Sequence, residues 1–201
     1  DADSAGKRAL RAASLDLLVG TGDPAETERA FRHYEDATNM TDSISALALL
    51  AFLDGRLRDE ALADFYQRWQ EEPLVLDKWF AVLARAARED SVEIVHALLS
   101  HPKFSLKNPN RVRALIGSFI HGNPTGFNRA DGAGYELLAS CAREIDGFNP
   151  HMAARLLGAF ESWQSLEPAR RAKAKETLSR LASAKLSTDS YEIVAKTLGA
   201  T

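Results

Sequence analysis

Apolar residues recur at spacings of three and four along almost the whole chain, the period of an α-helix that buries one stripe. From Ser4 onward, Ala9, Leu10, Ala13, Leu17 and Leu18 make the first such stripe, which ends near Gly20 or Gly22. Asp23-Pro24 restarts the chain as a second helix through Phe31 and Tyr34. Thr41-Asp42 can cap a third, through Ile44, Leu47, Leu50 and Leu53, with Gly55 as its terminator. That helix is so apolar that protein must surround most of it. Asp59 to Trp69 reads as a fourth helix on Leu62, Phe65, Tyr66 and Trp69, and Pro73 opens a fifth in which Trp79 and Phe80 are core aromatics. Ser91 caps a short helix through Ile94, Val95, Leu98 and Leu99, stopped by His101-Pro102.

The next start signal is Asn108-Pro109. An asparagine oxygen can accept from the first free amides, and proline fits the first helical position, where its missing N–H would have had no partner. Asn123-Pro124 and Asn149-Pro150 use the same device, so stacked helical units are expected. Arg111 and Arg113 stand in the first two turns after Asn108, where the positive end of the helix dipole disfavours cations. Either both guanidiniums reach carboxylates or water elsewhere, or capped amides and guanidiniums converge on one anion, such as a peptide carboxylate. Asp131-Gly132-Ala133-Gly134-Tyr135 carries two glycines that permit a tight turn into the helix of Leu137, Leu138, Cys141 and Ile145. Pro168 then starts a long helix over 169–184, and a last one runs from Ser187 or Asp189 to Leu198. No segment alternates apolar and polar residues as a strand does. The class is all-α. Residues 1–201 are expected to form a single domain, an irregular right-handed α-α superhelix of the HEAT/ARM-like solenoid type with about eleven or twelve short helices.

Charge and composition narrow the function by exclusion. With 25 Lys and Arg against 28 Asp and Glu the net charge is −3, so nothing draws the chain to nucleic acid or an anionic membrane. Its longest apolar run, Ile44 to Leu53, is about half of a membrane span. The polar N-terminus enters helical sequence at once, does not look like a secretory signal, and reads as cut from something longer. The single Cys141 lies in an apolar run and reads as core; it rules out an intrachain disulfide and fits a reducing, cytoplasmic setting. Five scattered histidines include no His-Glu-x-x-His pair, Gly132-Ala133-Gly134 lacks the rest of a dinucleotide loop, and the basic run 170–175 reads as a solvated helix face. By its residues, the chain is a binding or structural module with no catalytic, cofactor or metal site of its own.

Several runs together resemble the C-terminal helical domain of bacterial zinc aminopeptidase N: Asn39-Met40-Thr41-Asp42, Asp77-Lys78-Trp79-Phe80, and His101-Pro102 leading to Asn108-Pro109-Asn110-Arg111-Val112-Arg113. Asn123-Pro124, Asp131-Gly132-Ala133-Gly134-Tyr135 and Asn149-Pro150 with Ala154-Arg155-Leu156 continue the match. The resemblance implies a non-catalytic piece of an enzyme that removes N-terminal amino acids from peptides, with the zinc and its His-Glu-x-x-His helix in a catalytic domain outside this chain. In that family the helical domain packs over the catalytic domain and encloses a cavity that admits short peptides. The partners implied are thus the catalytic domain and peptide substrates. The resemblance places arginines matching Arg113 and Arg155 toward the cavity, where with Asn108 and Arg111 they would hold a bound peptide. An exposed apolar or mixed patch is then expected where the catalytic portion docks. The alternative is a free-standing α-solenoid scaffold that binds a protein or peptide in its concave face.

Overall fold

The computed structural model describes residues 2–199, and among these there is no strand. Helix contacts divide the chain into two compact units, with the boundary after Ala86.

The first unit holds α1 (Ala2–Val19), α2 (Pro24–Glu35), α3 (Met40–Ala51), α4 (Arg56–Trp69) and α5 (Pro73–Arg85). As its composition requires, α3 is the centre, in contact with α1, α2, α4 and α5, and Ala46, Leu47, Leu50 and Ala51 are fully buried. Its cap is Asn39 rather than Thr41-Asp42. Asn39 has the extended backbone a cap needs, and its Oδ1 accepts from Asp42 N at 3.0 Å, whereas Thr41 is already helical. Gly55 does not terminate α3. It opens α4 at φ 115°, a conformation glycine reaches without a steric penalty, so α4 begins three residues before Asp59. Phe80 is fully buried. Trp79 is half-buried, with Nε1 donating to Leu62 O at 3.1 Å and its ring 5.0 Å from that of Tyr66.

The stripe expected on α1 is the exposed one. Leu10, Leu17 and Leu18 are 70, 76 and 40 % exposed, and the helix packs through Leu15 and Val19 instead. Both sets obey the helical period, because α1 is apolar on two faces, and periodicity alone cannot choose between them.

The second unit contains α6 (Ser91–Leu99), α7 (Pro109–Val112), α8 (Ser118–Gly122), α9 (Pro124–Phe127), α10 (Ala133–Asp146), α11 (Pro150–Leu157), α12 (Pro168–Ala182) and α13 (Thr188–Leu198). A π-helical turn, Arg113–Gly117, joins α7 to α8 in one rod; with that rod counted once, the described residues form twelve α-helices. All three Asn-Pro signals act as expected. Asn108, Asn123 and Asn149 each accept backbone amides with the side-chain oxygen, and proline takes the first helical position each time. Ser91 does not cap α6: it is the first helical residue, and its Oγ turns back to accept from Arg88 N at 3.0 Å. Of the two candidates for α13 the cap is Ser187, which accepts from Ser190 N. Neighbouring helices pack in sequence order, α10 on α11 and α12 on α13, as repeat arrays do. Phe119, Phe127, Tyr135 and Phe160 form the aromatic centre, with Phe127 5.3 to 6.3 Å from the other three rings and two of these contacts close to perpendicular.

Candidate functional site

At Asn108 the side-chain oxygen accepts from Asn110 N at 3.0 Å and Arg111 N at 3.3 Å. The two arginines that follow part company. Arg111 is only 6 % exposed, and its Nε donates to the carbonyl oxygen of Lys103 at 3.0 Å. That bond fastens the connection between α6 and α7 to the start of the rod. His101 belongs to the same corner. Its Nδ1 accepts from Lys103 N at 3.1 Å, and burial, then the nearby Arg111 and Lys103 charges, lower its pKa. Arg113 is exposed. Its Nε donates to Pro109 O at 3.3 Å and its Nη2 to Asn110 Oδ1. Carbonyl oxygens thus receive both guanidiniums, Lys103 O from Arg111 and Pro109 O with Asn110 Oδ1 from Arg113, a kind of acceptor not named among the carboxylates, water and shared anion weighed from sequence.

Arg155 lies in the last turn of α11, exposed, with no hydrogen bond or ion pair to a described residue. Its charge suits a helix C-terminus. No hydrogen bond brings Arg155 together with Asn108, Arg111 or Arg113. Of the four, Arg113 and Arg155 keep guanidiniums accessible to a ligand, while Asn108 and Arg111 are engaged in building the rod that carries Arg113. The π turn that begins at Arg113 is what sequence reading missed. Such turns often mark functional sites, because the extra residue re-aims the side chains around it. Gly117, mid-rod, was the available hint.

The corner built by Arg111 can be checked directly. Arg111→Ala removes a charge-assisted donor and leaves a carbonyl poorly matched, so a loss of about 2 kcal/mol is expected. Backbone amides of 103–108 should then exchange faster while those of α10 do not. Unchanged exchange at 103–108 would show that the guanidinium does not hold this corner.

Elsewhere in the second unit a groove of about 670 Å³ runs along α6 and α10 past His96, Leu99, Arg129 and Glu136. Arg129 is committed within the fold, at 2.8 Å from Glu93 and 2.9 Å from Asp131, and its hydrogen bonds hold both carboxyls below the usual range. Cys141 is 4 % exposed, and burial pushes its thiol up to about 12, so it is a small core residue rather than a nucleophile. Among the described residues no group of three or more His, Cys, Asp or Glu is placed to hold a metal ion, and no helix is long and apolar enough to cross a membrane.

Fold and site together define an ARM-like helical repeat module that carries two exposed arginines, Arg113 in the second turn of the α7–α8 rod and Arg155 in the last turn of α11. A family model described as "Domain of unknown function (DUF3458_C) ARM repeats" matches residues 1–199, and the chain belongs to this family, the C-terminal ARM-repeat domain of aminopeptidase N-type proteins. It is 40 % identical over 200 residues to a Caulobacter vibrioides protein named Aminopeptidase N, covering 99 % of this chain and 23 % of the relative. Aminopeptidase N of Escherichia coli is 33 % identical over 193 residues, or 96 % of this chain and 22 % of that one. A crystal structure of Legionella pneumophila aminopeptidase A in complex with aspartic acid superposes with a TM-score of 0.92 at 34 % identity, covering 98 % of this chain and 23 % of that one. The chain thus spans less than a quarter of the length of these relatives.

Proposed function

We propose that this chain is the non-catalytic helical module of a zinc-dependent aminopeptidase that works in the cytoplasm on short peptides. The parent enzyme removes N-terminal residues with a zinc site carried by another part of the polypeptide. The module walls the chamber above that site and so limits access by size. Arg113 and Arg155 present guanidiniums to the carboxylate or backbone at the far end of the peptide, the former aimed by the π turn and the Asn108–Arg111 corner behind it. What supports this reading most is the match of nearly the whole chain to proteins named Aminopeptidase N, together with two accessible arginines on Asn-Pro-started helices, Arg113 in the second turn of the rod and Arg155 in the last turn of α11.

The test is made in the whole enzyme. Arg113→Ala and Arg155→Ala are each expected to lower kcat/KM for a tripeptide about tenfold, the size of one charge-assisted contact. A small amino-acid amide, which has no far end, should be turned over at the original rate. Equal losses for both substrates, or none for either, would reject a grip on the distal end of the peptide.

A further inference from the structure

One glycine sits where the fold makes no demand for it. Gly117 closes the π turn in the middle of the α7–α8 rod with φ −59° and ψ −43°, an ordinary helical conformation that any residue adopts. A Cβ there would meet only Val112 O at 3.8 Å and Arg113 Cβ at 3.9 Å, whereas a Cβ at Gly134 would be driven to 2.3 Å from a carbonyl oxygen. Glycine is a poor helix former, because it gives up the most backbone freedom on folding. Alanine would therefore serve the rod better, and the missing side chain answers to something outside it. Along residues 110–121 every position is buried except Asn110, Arg113, Gly117 and His121, which recur at spacings of three and four and so form a single accessible strip. Gly117 leaves a gap in that strip between Arg113 and His121. Arg113 donates through Nε to Pro109 O and through Nη2 to Asn110 Oδ1, while its Nη1 makes no hydrogen bond to a described residue.

We infer that Gly117 is a specificity-determining position, a notch in which the main chain of a peptide's distal residue lies against the rod and brings its carboxylate to the open side of Arg113. The inference rests on the proposed reading of the chain as the module that receives the peptide in an aminopeptidase. It deepens that reading by naming a residue that admits the peptide by its shape rather than one that binds it by charge. Only a position without a side chain lets another backbone come this close. The π turn adds to the effect. A Cβ at 117 would be 3.9 Å from that of Arg113, well inside the roughly 5–6 Å usual for residues one turn apart, so any side chain there would also crowd the stem of the cation.

Gly117→Ala and Gly117→Leu are to be made in the full-length parent and in the 201-residue chain, with Arg113→Ala beside them. For a tripeptide, kcat/KM is expected to fall about threefold with Gly117→Ala and about thirtyfold with Gly117→Leu, through KM and with kcat kept, as lost ground-state binding does. A small amino-acid amide, too short to reach the rod, should be turned over at the original rate. The thermal midpoint of the 201-residue chain should hold or rise with Gly117→Ala, since alanine fits the site and restricts the unfolded chain. A midpoint that falls with Gly117→Ala would show that the fold itself needs the glycine and would overturn the inference. Equal losses for tripeptide and amide would overturn it too, as would a tripeptide rate indifferent to Gly117→Leu. If Arg113→Ala still lowers the tripeptide rate alone in that last case, the proposed function survives while the notch does not. A parent that hydrolyses neither substrate, yet in calorimetric titration binds the tripeptide about tenfold more weakly with Gly117→Leu, would uphold the notch and reject the proposed reaction.

Discussion

Gly134→Ala is expected to destabilise the chain by about 3 kcal/mol or more, at the upper end of what overpacking costs. A Cβ at this position would lie 2.3 Å from Phe127 O, 2.8 Å from Gly126 O and 2.8 Å from Phe127 C. All three are backbone atoms, so no side chain can rotate away, and α9 and α10 would have to separate. That separation would pull Phe127 from its ring contacts with Phe119, Tyr135 and Phe160, and thus spread from one methyl group to the centre of the second unit. At roughly 2–4 °C per kcal/mol for a chain of this size, the thermal midpoint should fall by roughly 10 °C. Gly158→Ala is the control. Nothing lies within 4 Å of a Cβ there, and the change should be neutral or slightly stabilising. Equal midpoints for the two variants would mean that the α9–α10 approach is not tight.

Gly134 also shows where sequence reading stopped. The pair Gly132 and Gly134 marks a turn into a helix, and Gly132 fulfils that with φ 82°. Gly134 is helical, and the need for it comes from a neighbouring backbone that no local pattern announces. The same divide runs through the chain. Helix starts were legible at Asp23, Asn108, Asn123 and Asn149, where one residue caps and proline follows it at once, and less so at Asn39, where no proline marks the first turn and Thr41-Asp42 offers a competing cap. Which face of a helix is buried was legible for α3, apolar nearly all round, and illegible for α1, where two stripes compete and only tertiary contacts decide. Within the candidate site the cap at Asn108 was readable. The fate of Arg111 was not, because its acceptor is a carbonyl eight residues back on a connection without periodicity. Resemblance to a family supplied Arg113 and Arg155 as a pair; the physics of the chain alone distinguishes them only as the two accessible cations of the four site residues.

The second large effect is expected at Asp146, which ends α10 and holds the start of α13. Its residue is 8 % exposed, and its carboxylate accepts from Ser187 N at 2.7 Å, Ser187 Oγ at 2.5 Å and Ser190 Oγ at 2.6 Å. Burial pushes the carboxyl pKa up, but the three donors outweigh it and the group sits below its ordinary value. The folded pKa is therefore lower than the unfolded one, about 3.9. Folding then releases the proton more readily than the unfolded chain does, so this group's stabilisation is complete above about pH 5 and is lost as pH falls through the folded pKa. Asp146→Ala leaves three donors without their acceptor and should cost about 3 kcal/mol at pH 7. Asp146→Asn keeps the shape but offers one oxygen in place of two and turns an amide N–H toward existing donors, so it should recover little of the loss. Urea unfolding of the protein and both variants at pH 7 and pH 3 separates charge from packing. The gap between native and variant should narrow at pH 3, below the unfolded pKa of about 3.9, where the unfolded chain already binds the proton and the advantage of the ionised native carboxylate shrinks. A gap of the same width at both pH values would mean that the α10–α13 junction depends on the shape of the side chain and not on its ionised oxygens.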